Sequence, residues 1–93
     1  MDLNKIPCLE KSITFKEKSV NNDKFLVFDT STAIAFLTNK VGIWTISKCN
    51  GKKTILGIIH DAQKVFNQSE KIINKDIKHY LTELKKNKII ILK

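Results

Sequence analysis

The sequence predicts an α+β fold in which a three-stranded antiparallel sheet is followed by three helices. Two observations predict this order. In the first third of the chain, β-favouring apolar residues form short runs separated by turn residues. In the rest, apolar residues recur at helical spacing behind residues that cap helices. With 93 residues, the chain can build one hydrophobic core, so we expect a single domain over 1–93 with its core at about 13–92.

Three short segments carry the strand prediction. Ile13-Thr14-Phe15 alternates apolar and polar residues, as a strand buried on one face does. Phe25–Phe28 is an apolar run typical of a strand covered on both faces. Asp29–Thr32 has the composition of a turn, and Ala33–Leu37 follows as the third strand. Strands joined by so short a connection pair antiparallel.

The first helix is predicted to begin at a cap, Thr38 or Asn39, and to end near Cys49. Asn50-Gly51 follows it, and the glycine suits the left-handed residue after a helix. We expect three apolar side chains of this helix to face the core: Val41, Ile43 and Trp44.

Two more helices follow. Thr54 caps the second, whose apolar positions are Ile55, Ile58, Ile59, Ala62 and Phe66. Asn67–Lys71 is predicted to be a polar loop, and Asn74 to cap the third helix. One face of that helix carries Ile77, Tyr80, Leu81 and Leu84. After Asn87-Lys88, the segment Ile89–Leu92 is either a terminal strand or an extended apolar tail.

Charge and composition indicate the class of partner. The net charge is +8, the isoelectric point is near 9.6, and all 17 basic residues are lysines. This balance favours an acidic partner. The absence of arginine disfavours base reading, because arginine is the usual bidentate ligand of guanine and phosphate. No apolar run is long enough to cross a membrane and the first residues do not form a signal peptide, so we expect a cytoplasmic protein without a membrane partner.

The sequence predicts no catalysis, no metal and no cofactor. Cys8 and Cys49 stand far apart, outside any cysteine–histidine cluster with ligand spacing, and are expected to be free thiols. Cys49 lies at a helix end, where the dipole does not activate a thiol. His60 is expected on a helix surface and His79 has no partner at ligand spacing. The three glycines form no phosphate-binding loop.

Spaced residues along the chain form a framework. Asp29 closes the second strand, Thr32 precedes the third, and Phe36 lies within it. The framework continues through Asn39-x-Val41-Gly42, Asn50-Gly51, Lys53-Thr54, Ile58-Ile59, Asp76, Leu81, Leu84 and the turn after Lys86. Over about 13–92, this spacing resembles the PqqD-like family, also called RiPP recognition elements. Thr38, Ile46 and Asn50 depart from the family's usual Leu, Trp and Asp.

The resemblance implies a function. Members bind the leader of a ribosomally made precursor peptide and present it to a maturation enzyme, often a radical SAM protein. The leader adds a strand beside the third strand and lies against the third helix. The third strand supplies Ala33, Ile34, Ala35, Phe36 and Leu37 to the expected site. A helix border that could hold an acidic leader supplies Lys78, Leu81 and Lys85.

Two other hypotheses stay open. When no leader is bound, the third strand could pair with the same strand of a second copy of the chain. A winged-helix DNA-binding protein has similar helix content, because the predicted order is similar to a winged helix-turn-helix with its strands in front. The predicted connection of 67–73 argues against DNA binding, since a DNA-reading helix-turn-helix uses a turn of about 3–4 residues.

Overall fold

The computed structural model describes all residues, Met1–Lys93, and confirms the predicted α+β class. Its elements, in chain order, are β1 (Pro7–Leu9), β2 (Ile13–Phe15), β3 (Phe25–Asp29), β4 (Ile34–Thr38), α1 (Lys40–Lys48), α2 (Ile55–Val65), α3 (Glu70–Lys86) and β5 (Ile90–Leu92). Strands β2, β3 and β4 form one antiparallel sheet in that order. Strands β1 and β5 form a second, two-stranded sheet.

The three-stranded sheet contains the three predicted strands. The last of them begins and ends one residue later than predicted. Val27, at its centre, pairs with Phe15 on one side and Phe36 on the other, and is fully buried. Ala33, predicted to open the third strand, lies in the preceding turn with φ 58°. A left-handed residue there turns the chain back toward β3, so the strand starts at Ile34 and extends to Thr38.

The two-stranded sheet joins the ends of the chain. Pro7 pairs with Leu92, and Ile6 and Lys93 exchange backbone hydrogen bonds of 2.9 Å. The terminal apolar segment is therefore a strand and not a free tail. Its partner β1 was not predicted, because a three-residue run that begins with proline has no clear strand pattern. The proline is tolerated at the first position of a strand.

Each helix begins behind a side-chain cap. Asn39, Thr54 and Ser69 each accept a hydrogen bond from the backbone amide three residues ahead. Thr54 was predicted, and Asn39 was one of two predicted caps, the other being Thr38. The predicted cap Asn74 is wrong. Asn74 lies inside α3, where its side chain accepts a hydrogen bond from Gln63 at 2.9 Å. The connection between α2 and α3 is consequently only 66–69.

The core lies between the three-stranded sheet and the helices. Its largest fully buried side chains come mostly from the helices, and include Ile46, Ile55, Ile58, Ile73, Ile77 and Leu81. In α1 the most buried apolar side chains are Ile43 and Ile46. Val41 and Trp44 are only half-buried, and the Trp44 ring meets Phe66 edge-on at 5.4 Å. No helix is both long and apolar enough to span a membrane.

Gly42 lets α1 approach the end of β4 and the middle of α3. A Cβ there would lie 1.9 Å from Oγ1 of Thr38 and 3.0 Å from the hydroxyl oxygen of Tyr80. These two hydroxyls are hydrogen-bonded to each other at 2.9 Å. The glycine thus leaves room for the contact that holds β4 against α3.

Gly42→Ala is expected to lower the free energy of unfolding by about 1–3 kcal/mol through overpacking. The better helix propensity of alanine offsets about 1 kcal/mol of this loss. Urea denaturation of Gly42→Ala, Thr38→Ala and the double variant checks the cause. Because Thr38→Ala removes the clashing oxygen, the double variant should lose less stability than the two single losses combined. Additive losses would contradict this.

Candidate functional site

The open edge of β4 is the first component of the candidate site. β4 is last in its sheet, so one of its sides has no strand partner. In β3, Leu26 accepts a hydrogen bond from Lys16 and so directs its backbone groups toward β2. Backbone directions alternate along a strand, so Val27 faces β4 and pairs with Phe36. In β4 the alternate residues Ala35 and Leu37 therefore direct their N–H and C=O groups outward.

A groove beside that edge is the second component. It has a volume of about 430 Å³ and lies between β4 and the C-terminal half of α3. Its lining is Asp29, Thr32, Ile34, Phe36, Tyr80, Glu83, Leu84, Asn87 and Ile89. Most of this lining is apolar. Ile34 keeps 63% of its surface exposed, although it faces the groove.

Side-chain alternation explains which strand residues reach the groove. Ile34, Phe36 and Thr38 share the face of β4 that turns toward α3. Thr38 closes one end of the groove through its hydrogen bond to Tyr80. Burial raises the pKa of Tyr80, with the Thr38 hydrogen bond acting in the opposite sense, so the phenol stays protonated at neutral pH. A neutral hydroxyl can keep this bond across the physiological range.

The five predicted strand residues fall into three groups. Ile34 and Phe36 line the groove. Ala35 and Leu37 form the open backbone edge, and their side chains lie on the opposite face of the sheet, where Leu37 is 56% exposed. Ala33 lies in the turn before the strand.

The predicted helix border does not face β4. Leu81 is fully buried in the core and cannot form a groove wall. Lys85 does not line the groove but, with Lys88, lines a depression beside β5 that adjoins the groove and shares Asp29, Thr32 and Asn87 with it. Lys78 is exposed but does not line the groove.

The wall that α3 does present consists of Tyr80, Glu83, Leu84 and Asn87. Tyr80 and Glu83 belong to the other border of the same apolar stripe. Tyr80, Glu83 and Asn87 are three and four residues apart, which places them on one side of the helix. This spacing is visible in the sequence and could have indicated a second candidate wall. The sequence pattern does not say which border of the stripe meets β4.

The histidines, cysteines and acidic residues outside the groove form no cluster with metal-ligand geometry. No three His, Cys, Asp or Glu side chains come close enough to hold a metal ion. His60 is exposed on α2, and the neighbouring Asp61 is paired with Lys53. Hydrogen bonding to Lys53 lowers the pKa of Asp61. Cys8 and Cys49 are both free thiols.

Cys49 is expected to resist alkylation until the protein unfolds. Burial raises the pKa of its thiol to about 12, against an ordinary value of 9.0. Above pH 9 the unfolded chain loses this proton while the folded chain retains it, so this group makes stability fall as the pH rises from 9 to 12. Iodoacetamide should label Cys8 in the native protein and both thiols in urea. A Cys49→Ala variant should show a weaker alkaline loss of stability, and rapid native labelling of Cys49 would contradict its burial.

The chain resembles known proteins in its fold and not in its sequence. No protein-family model matches the chain, and no curated protein matches it. Two solved structures share its fold. TbiB1 in complex with the TbiA(beta) leader peptide superposes with a TM-score of 0.72 at 13% identity, over 89% of this chain and 93% of that one. Lasso peptide synthetase B1 complexed with the leader peptide gives a TM-score of 0.73 at 12% identity, over 92% and 98%. The resemblance to PqqD-like domains is thereby confirmed at the level of the fold.

Proposed function

We propose that this chain binds the leader of a ribosomally made precursor peptide and presents it to a separate maturation enzyme. The observation that carries the proposal is an unpaired strand edge beside an apolar groove. The leader adds a strand along Ala35 and Leu37 and places side chains against α3. The two similar solved structures described above are both complexes with leader peptides.

The geometry supplies two sources of affinity. Strand addition satisfies the outward N–H and C=O groups of Ala35 and Leu37, and each net hydrogen bond contributes about 0.5–1.5 kcal/mol. An apolar leader side chain buried against Phe36 and Leu84 contributes about 1.5–3 kcal/mol more. Backbone pairing tolerates many sequences, so the groove supplies most of the selectivity.

The chain itself performs no chemistry in this proposal. The groove lining contains no cysteine, histidine or lysine. Its hydroxyls belong to Thr32 and Tyr80, and that of Tyr80 is hydrogen-bonded to Thr38. The buried Cys49 is protonated at neutral pH. A maturase supplies the reaction, and a radical SAM enzyme is one class that acts on such precursors in the cytoplasm.

A peptide selection followed by NMR tests the proposal. A display library of random peptides of about twelve residues is selected on the immobilised chain, and the strongest binder is titrated into ¹⁵N-labelled protein. The amides of Ala35 and Leu37 should shift together with those of Tyr80 and Leu84. Failure to select any binder, or shifts confined to the opposite side of α3, would refute strand addition at β4.

The same edge supports a second proposal, that the protein without a leader pairs with another copy through β4. Unpaired strands pair readily with identical strands, and β4 carries no charge or proline that prevents this. We therefore expect a weak, concentration-dependent dimer that the selected peptide dissociates. Sedimentation velocity with and without the peptide measures this, and a dimer unaffected by saturating peptide would place the contact elsewhere.

DNA binding is the second candidate, and one observation favours it. The connection between α2 and α3 is 66–69, which is within the length of a helix-turn-helix turn. The sequence-based argument that this connection is too long is therefore wrong. The exposed lysines of α3 include Lys71, Lys75 and Lys78.

A salt series with random duplex DNA separates the two candidates. A DNA-binding protein loses affinity steeply as salt increases, because it displaces counterions. The peptide-binding proposal expects weak DNA affinity that the selected peptide does not displace. Tight DNA binding lost on replacement of Lys75 and Lys78 by alanine would favour the DNA candidate.

A further inference from the structure

The charges of the groove are opposite to those of the chain. The protein carries a net charge of +8, with 17 lysines against nine acidic residues. Yet the only charged residues that line the groove are Asp29 and Glu83. The groove lining is therefore negative, although Lys85 and Lys88 line the depression that adjoins it at Asp29, Thr32 and Asn87.

The two carboxylates stand at the same end of the groove. Asp29 pairs with Ile34, the first residue of β4, and shares its sheet face. Glu83 lies across the groove on α3, one turn before Asn87. The opposite end is closed by the Thr38–Tyr80 hydrogen bond. Between the two ends lie the apolar side chains Phe36 and Leu84.

Neither carboxylate has a cationic partner within the protein. The only salt bridge joins Lys53 and Asp61, on a different part of the surface. Asp29 accepts hydrogen bonds from the backbone and hydroxyl of Ser31, at 2.9 and 2.7 Å. These bonds lower the pKa of Asp29, and the bond from the Ser31 hydroxyl is the largest cause. Asp29 is therefore ionised at neutral pH. Both negative charges remain open to a ligand.

We propose that the groove selects a leader segment with an apolar anchor and a lysine or arginine two residues toward its C-terminus. This rests on the proposed strand addition. Side chains two apart in a strand share a face, so the anchor and the basic residue both point into the groove. An added strand antiparallel to β4 continues the existing ladder and runs from Phe36 toward Ile34. The anchor then meets Phe36, Tyr80 and Leu84, and the basic side chain reaches Asp29 and Glu83.

This selectivity differs from the acidic leader that the overall charge predicts. The lysines attract acidic molecules at long range, but the groove contacts the ligand at short range, where local carboxylates decide the preference. An acidic residue at the position beside Ile34 would face two carboxylates. A leader with acidic residues outside this segment is compatible with both effects.

Charge reversal at Glu83 tests the inference. The side chain of Glu83 makes no hydrogen bond or salt bridge, so Glu83→Lys should fold normally. Asp76→Lys is the matched control, because Asp76 lies on the same helix, is exposed, and is outside the groove. The same display library is selected on the wild type and on both variants.

Wild type and Asp76→Lys should enrich lysine or arginine two residues after an apolar anchor, whereas Glu83→Lys should lose or invert this preference. In synthetic versions of the strongest wild-type binder, replacing the basic residue by glutamate should weaken binding to wild type about three- to tenfold. The same replacement should have no effect or improve binding to Glu83→Lys. Binders that shift the β4 amides but show no charge preference would overturn this inference and leave strand addition intact. A library that yields no binder would refute strand addition itself.

Discussion

Ala35→Pro is expected to weaken binding of the selected peptide about ten- to hundredfold without unfolding the protein. The Ala35 N–H points away from β3, so proline removes no hydrogen bond of the existing ladder. It does remove a donor that the added strand needs. A peptide carbonyl left without a partner costs about 1–3 kcal/mol, and 1.4 kcal/mol corresponds to a tenfold change in affinity.

Two variants separate the loss of the N–H from the change of side chain and from a loss of stability. Ala35→Thr keeps the N–H and favours a strand, so it should retain affinity within about threefold. Phe36→Pro removes an N–H that faces β3, so it should lower stability as well as affinity. Isothermal titration measures the affinities, and urea denaturation the stabilities. Unchanged affinity in a folded Ala35→Pro protein would mean that the peptide does not pair with this edge.

Local patterns predict most of this fold because most of its elements are defined locally. The caps Asn39 and Thr54 and the left-handed Gly51 act through bonds to near neighbours. Thr54 and Gly51 were predicted in place, and Asn39 was one of the two caps predicted for its helix. Strand β1 could not be predicted in this way. It is three residues long and pairs with a strand at the other end of the chain, so its stability depends on a contact that no local window contains.

The candidate site was predictable on one side and not on the other. The family resemblance implied an open edge at the third strand, and the absence of charge in Ile34–Leu37 agreed with it without deciding it. In the structure β4 is the last strand of its sheet. The helix wall depends on how α3 is rotated about its axis. That rotation depends on tertiary packing, which includes the contact of Tyr80 with Thr38 and Gly42, far away in sequence. A helical wheel shows two borders of one apolar stripe, and only this packing determines which of them meets the strand.

Leu81→Ala is expected to lower the free energy of unfolding by about 2–5 kcal/mol, the range for a buried leucine. Leu81 is completely inaccessible to solvent and packs in the centre of the core. Domains of this size are typically stable by only about 5–15 kcal/mol, so this single change removes a large part of the total. Urea denaturation measures the loss.

The affinity of the Leu81→Ala protein distinguishes a core residue from a ligand contact. Below the unfolding transition, the folded fraction should bind the selected peptide nearly as well as wild type, because Leu81 does not reach the groove. Lys78→Ala, on the exposed surface three residues earlier, should change stability by less than about 0.5 kcal/mol and leave affinity unaltered. A Leu81→Ala protein with wild-type stability and reduced affinity would place this side chain against the ligand. That outcome would require α3 to be rotated so that its lysine border, and not Tyr80 and Glu83, faces β4.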